Sequence, residues 1–138
     1  CAKDKKLRVE ILSGDVHVAA WGTIYRKDVP PSSNWAQLQQ LTSSAVIHPS
    51  LTGVFERLFL AFLNNTATNV QSIDVEHEVQ MMLFPGHNRH MMAARNWLAL
   101  ELDSGKGNPN GSKLWATWRC ENKDGFSNHL LAVHPAEL

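Results

Sequence analysis

For much of this chain apolar and polar residues change places at every second position, the period of a β-strand with two unlike faces. Leu7–Leu12 reads as a short strand of aliphatic and β-branched residues, ended by the turn-forming Ser13-Gly14-Asp15. Val16–Tyr25 is again apolar and β-prone, interrupted by Gly22, and Arg26–Asn34 contains the loop-forming Pro30-Pro31-Ser32-Ser33. Leu38–Ile47 predicts a buried strand that passes through Thr42-Ser43-Ser44 and stops at His48-Pro49-Ser50. Ile73, Val75, Val79, Met81 and Leu83 alternate with Asp74, Glu76, Glu78 and Gln80, which predicts a strand before the turn Pro85-Gly86-His87-Asn88. Leu98, Leu100 and Leu102 alternate with Trp97, Ala99 and Glu101, and Lys113–Cys120 places Trp115 and Trp118 on opposite faces. A Gly-rich stretch from Asp103 to Ser112 and a turn at Lys123-Asp124-Gly125 join these strands to a last one, Leu130–Val133. Such connections favour antiparallel pairing.

One segment has the other period. Leu51, Val54, Phe55, Leu58 and Phe62 recur at helical spacing, and Phe59, Leu60 and Leu63 widen the apolar stripe until little of the surface is polar. The expectation is one long buried helix, closed by Asn64-Asn65-Thr66. A strand feeding a polar turn, a buried helix and a set of later strands predict an α/β fold: half of an α/β sandwich with mixed sheets, β-rich, its later strands largely antiparallel. No repeat, low-complexity tract or second domain boundary interrupts residues 1–138.

Composition narrows the function classes. Hydrophobic residues make up 43% of the 138 positions, charged residues 19%, and 13 basic side chains balance 13 acidic ones, which excludes a disordered chain and a polyelectrolyte binder. The five tryptophans have no basic surface to accompany them, so they fit a sheet core better than a nucleic-acid platform. The most apolar run, Val54–Leu63, is broken by Glu56 and Arg57 and is too short for a membrane span. Cys1 and Cys120 are too few for a disulfide scaffold, although a single bridge between them is compatible with the sequence. A lipid-bearing Cys1 fits poorly, because almost no tether precedes the first strand.

The segment Arg8-Val9-Glu10-Ile11-Leu12-Ser13-Gly14-Asp15-Val16-His17-Val18-Ala19-Ala20 resembles the late metal-site motif of PhoD-like alkaline phosphatases, members of the calcineurin-like metallophosphoesterases. The likeness continues, in the family's order, through Gln40-Leu41-Thr42-Ser43-Ser44-Ala45-Val46-Ile47-His48-Pro49, Phe84-Pro85-Gly86, Ala94-Arg95-Asn96-Trp97-Leu98-Ala99-Leu100-Glu101 and Leu114-Trp115-Ala116-Thr117-Trp118. The resemblance implies that the chain is the C-terminal part of a single metallophosphatase domain whose first half is not in it. It implies two metal ions, drawn from iron, calcium, zinc or manganese, with Asp15 ligating one and His17 its neighbour. The implied activity is hydrolysis of a phosphoric ester by water, two cations offsetting charge on the phosphate oxygens. The implied substrate is a small phosphate ester or a phospholipid-type molecule.

The residues themselves allow this chemistry. In an extended segment, side chains two apart project to the same side, so Asp15 and His17 can face one site. A carboxylate oxygen with an imidazole nitrogen suits iron, zinc or manganese, and calcium on an oxygen-rich side. The bland alternative is that Asp15 caps a turn and His17 is an ordinary, partly buried histidine. Thr42 and Ser43 could hydrogen-bond phosphate or simply close a buried strand. Arg95 could contact substrate and Asn96 brace a loop, with structural support the simpler role for both. Gly86-His87-Asn88 inverts the family's Gly-Asn-His order and follows the Asp15 motif, so it is not counted as a ligand set; His87 and His90 fit a solvated loop. The other ligand motifs of the family are not found, and two ligands from one strand cannot hold a dinuclear centre, so the chain alone is expected to be inactive. A second function class stays open: a non-catalytic, β-rich binding or structural module, suggested by the Trp-rich alternating strands.

Overall fold

In a computed structural model, the structure describes residues 8–29, 37–47, 54–67, 70–104, 106 and 112–135. The described residues form two sheets and one helix. In chain order the elements are β1 (Glu10–Asp15), β2 (Ala19–Arg26), β3 (Gln37–Ser44), α1 (Val54–Thr66), β4 (Gln71–Ser72), β5 (His77–Met81), β6 (Met91–Met92), β7 (Asn96–Asp103), β8 (Lys113–Asn122) and β9 (Gly125–Val133). The first sheet has the order β1-β3-β2-β5-β4, with β6 pairing the start of β2. β1 runs parallel to β3, and every other pair is antiparallel. The second sheet is the antiparallel meander β7-β8-β9.

The period of two explains how the sheets meet. Ala116, Trp118 and Cys120 alternate along β8 onto one face and are at most 1% exposed. That face packs on Ala19 and Leu41 of the first sheet and on Phe84, with Trp21, Met92, Leu98 and Leu131 at the margin. The Phe84 and Trp118 rings are 5.3 Å apart and tilted, within the range aromatic pairs prefer. Trp97 and Trp115 sit on the opposite face of the meander, where Trp97 meets Phe126 edge-on and Lys113 lies 4.3 Å over the Trp115 ring. Only one of these tryptophans therefore anchors the core, and Trp35 lies outside the described residues. Phe84 is delivered by a tight turn in which His87 N–H donates to Phe84 C=O at 2.9 Å. Pro85 pre-sets the first corner, and Gly86 supplies the left-handed second corner at φ 77°.

The α/β expectation is overturned. The fold is mostly β, and its one helix is neither long nor buried. α1 has 13 residues, with Phe55 85%, Leu58 63% and Phe62 64% exposed. Its apolar residues surround the axis, yet it touches the sheet along one edge near β6, where Asn64 Oδ1 accepts from His90 N–H and Met91 N–H at 2.8 and 3.1 Å. A stripe all round predicts cover all round, and among the described residues that cover is not formed. The strand expected over Ile73–Leu83 also begins later. Asp74 Oδ1 accepts from Glu76 N–H and His77 N–H, both at 2.7 Å, which folds residues 73–76 into a bend before β5. A short carboxylate that satisfies nearby N–H groups competes with the strand ladder. Cys120 is a free, buried thiol, so the bridge left open by the sequence is not made. Leu51, the Pro30-Pro31 loop and most of the Gly-rich connection after Asp103 lie outside the described residues.

Trp118→Ala is expected to cost about 3–5 kcal/mol of stability, the usual range for a fully buried Trp, read as a lower urea midpoint. Burial pushes the Cys120 thiol up to about 11, against 9.0 for the free group. Between those values the unfolded chain has lost this proton and the folded chain has kept it, so stability falls as pH rises through the interval and levels off above it. Cys120→Ala is expected to remove that part of the slope in denaturation curves recorded across the same pH range.

Candidate functional site

The parallel pair brings the candidate residues to one edge. The register sets Ser13 beside Thr42, Gly14 beside Ser43 and Asp15 beside Ser44, so both strands end together. Asp15 is exposed there and His17 is half-buried.

The local geometry differs from two side chains on an extended strand. β1 ends at Asp15, whose Oδ1 accepts from His17 N–H at 2.8 Å and Val18 N–H at 3.0 Å. The carboxylate thus closes a turn that swings the chain from β1 into β2. Its Oδ2 makes no hydrogen bond among the described residues and stays available. Neither group has a third companion: among the described residues no three His, Cys, Asp or Glu side chains are grouped so as to hold a metal ion. A carboxylate oxygen and an imidazole are sound donors for a transition metal, but among the described residues they are two ligands.

Behind Asp15 lies a chain of hydroxyls. Gln40 Nε2 donates to Ser13 Oγ at 2.9 Å, and Ser13 and Thr42 share a hydrogen bond of 2.8 Å across the β1–β3 pair. Thr42 C=O accepts from Trp118 Nε1–H at 2.8 Å, tying this strand to the second sheet. Ser43 turns the other way, its Oγ donating to Asn96 Oδ1 at 3.2 Å.

Asn96 is wholly buried, and its amide is fully used. Oδ1 accepts from Ser43 Oγ–H and, at 3.0 Å, from Ser44 N–H, while Nδ2 donates to Ser44 Oγ at 2.7 Å and Ala94 C=O at 2.8 Å. Two donors and two acceptors exhaust what a primary amide offers. Asn96 therefore braces β3 against the start of β7. Its neighbour Arg95 faces outward and makes a two-pronged pair with Glu121, Nε donating to Oε2 at 2.6 Å and Nη2 to Oε1 at 2.5 Å. The structure thus gathers Asp15, His17, Thr42 and Ser43 at the strand ends, fixes Asn96 beneath them and engages Arg95 with a carboxylate.

His129 is a buried polar residue that sequence reasoning did not single out. It is 9% exposed, with Nδ1 3.1 Å from Pro85 C=O and Nε2 3.0 Å from Ser127 Oγ. A carbonyl can only accept, so Nδ1 carries a proton toward Pro85, while the Ser127 hydroxyl lies between Nε2 and Cys120 C=O, 3.4 Å away. The His87 ring lies 4.8 Å from it, and burial, then His129, then Arg89 lower the His87 pKa. The signal was available in the Ser127-x-His129 alternation, which places both side chains on the inward face of β9. Through Pro85 C=O the pair secures the Phe84–His87 turn to the meander.

No protein-family model matches the chain, and comparisons with curated proteins and with solved structures returned no match. No helix among the described residues is long and apolar enough to cross a membrane.

If Asn96 is the brace, Asn96→Leu leaves the buried Ser44 N–H without its acceptor, while both serine hydroxyls keep backbone carbonyl partners. An abandoned buried group costs about 1–3 kcal/mol, so a loss in that range is expected in urea denaturation. Thr42→Val, which removes one shared hydroxyl bond and keeps the shape, is expected to cost about 1 kcal/mol.

Proposed function

We propose that this chain contributes two ligands, Asp15 and His17, to the metal site of a phosphoric ester hydrolase. The observation that supports the reading most is the placement of Asp15, two residues before His17, at the shared carboxyl ends of β1 and β3, with Asp15 Oδ2 making no hydrogen bond among the described residues. Asp15 would offer Oδ2 as a hard anionic donor while Oδ1 holds the turn. His17 would offer a ring nitrogen. Metal ions bound there would supply charge neutralisation for a phosphate ester and activation of water. Thr42 would orient the Ser13 hydroxyl, and Ser43 would draw the edge of β3 onto Asn96. The remaining ligands would come from residues other than those described. The resemblance carried by Ser13-Gly14-Asp15-Val16-His17 suggests iron, calcium, zinc or manganese, and small phosphate esters or phospholipid-type substrates.

A second reading, a β-rich binding or structural module without catalysis, is favoured by the dominance of strands and by the absence of a third ligand among the described residues. Manganese titration followed by NMR separates the two. The hydrolase reading expects Mn²⁺ to broaden the His17 ring signals ahead of those of His87, His90 and His129, with a roughly tenfold weaker effect in Asp15→Ala. Uniform broadening, or broadening indifferent to Asp15, would count against the site. In the gene product carrying this chain, Asp15→Ala and His17→Ala are each expected to lower kcat/KM on p-nitrophenyl phosphate by roughly a thousandfold, equivalent to several kcal/mol of lost charge stabilisation. Retained activity in both variants would leave the module reading.

A further inference from the structure

On the face of the first sheet that carries Leu41 and Trp21, one row of side chains is polar. The register sets Glu10 of β1 beside Gln39 of β3, Gln39 beside Thr23 of β2, and Thr23 beside Gln80 of β5. Three atoms of this row are sealed from solvent without a hydrogen-bond partner among the described residues: Glu10 Oε2, Gln39 Oε1 and Thr23 Oγ1. Buried polar groups are almost always satisfied, so three exceptions in one row share a cause. None of the three has surface enough for a water or an ion to touch. A hydrogen needs no such room.

With Glu10 ionised, the row holds two acceptors, Glu10 Oε2 and Gln39 Oε1, and one hydrogen to share, that of the Thr23 hydroxyl. A proton on Glu10 Oε2 turns an acceptor into a donor. Gln39 Oε1 belongs to the middle strand and has two lone pairs, so it can accept from Glu10 on one side and Thr23 on the other. Glu10 Oε1 keeps Arg8 Nε–H at 2.6 Å, a bond that a neutral carboxyl also accepts. Arg8 is the cation that faces Glu10 and favours its charged form, yet burial outweighs it and holds the carboxyl above its ordinary value. β3, the strand paired with β1, carries no charged residue. Farther along the same face, Tyr25 donates to Glu78 Oε2 at 3.0 Å, and Lys27 Nζ lies 3.8 Å from Glu78. We propose that Glu10 is a proton-operated fastener of β1. Protonated, it closes the row through Gln39 to Thr23 and holds the edge strand on β3; ionised, it leaves a buried charge and unmet acceptors in that seam, and the strand opens more often. The device acts whether or not Asp15, at the end of the same strand, binds a metal.

Two NMR measurements on the 138-residue chain test it. The Glu10 side-chain carboxyl carbon, assigned through its own backbone, is expected to titrate above 4.5, the value of the free group. Amide exchange, corrected for intrinsic rates, then reads the strand. The opened strand gives up the Glu10 proton more readily than the closed one. Opening of β1 is therefore expected to be constant below pH 4.5, to grow by up to about tenfold per pH unit from there to the Glu10 midpoint, and to level off above it. Glu10→Gln puts an N–H donor where the acid has its O–H, and is expected to keep β1 protected across the whole range. A purely structural Glu10 would give no step in the parent and lost protection in the variant. A Glu10 midpoint at or below 4.5, β1 exchange without a pH step in the parent, or loss of β1 protection in Glu10→Gln at every pH would each overturn the proposal.

Discussion

The structure depends on one saturated amide. Asn96 begins β7 and fills its four hydrogen-bonding positions with Ser43, Ser44 and Ala94, drawing the end of β3 into register with the start of the meander. Trp118 repeats the link from β8 by donating to Thr42 C=O. Both contacts fall on the last three residues of β3, which is also where β1 ends. The two sheets are therefore joined at the edge that carries the candidate chemistry. A polar joint in a dry interface tolerates no sliding, because any displacement abandons several groups at once.

Much of this was legible in the sequence, for a reason that also marks where legibility stops. β7 and β8 lie where alternation predicted strands, since a face buried on one side leaves a period of two, whereas β3, expected as a buried strand over Leu38–Ile47, ends at Ser44. The short turns between β8 and β9 announced antiparallel pairing. Alternation misleads where a side chain outbids the ladder: Ile73 to Glu76 alternates as well as any strand, yet Asp74 takes two backbone N–H groups and bends it. The helix was legible in position but not in burial. Periodicity tells which residues could be covered, whereas cover itself depends on what arrives from elsewhere in the fold.

The site divides in the same way. Asp15 and His17 were visible as neighbours in a motif, and Thr42 and Ser43 as hydroxyls on a strand, but their convergence required the parallel register of β1 and β3. The turn at Asp15 was the simpler of two readings and is formed, with one oxygen in use and the other open. Asn96 and Ser44 stand 52 residues apart, and no local pattern connects them. His129 shows both cases: its pairing with Ser127 follows from the alternation of β9, whereas its contact with Pro85, 44 residues away, has no local sign.

The parallel pairing of β1 with β3 also bears on the order of assembly. β7, β8 and β9 meet through near neighbours in the chain, whereas Ser13 reaches Thr42 across 29 residues, with β2 formed between them. Local contacts close at lower entropic cost than distant ones, so the meander and the β2–β3 hairpin are expected to form ahead of β1. The strand bearing Asp15 then docks onto an edge already built. Paired on one side only, it is an edge strand, which places Asp15 on a part of the first sheet that opens more readily than its centre.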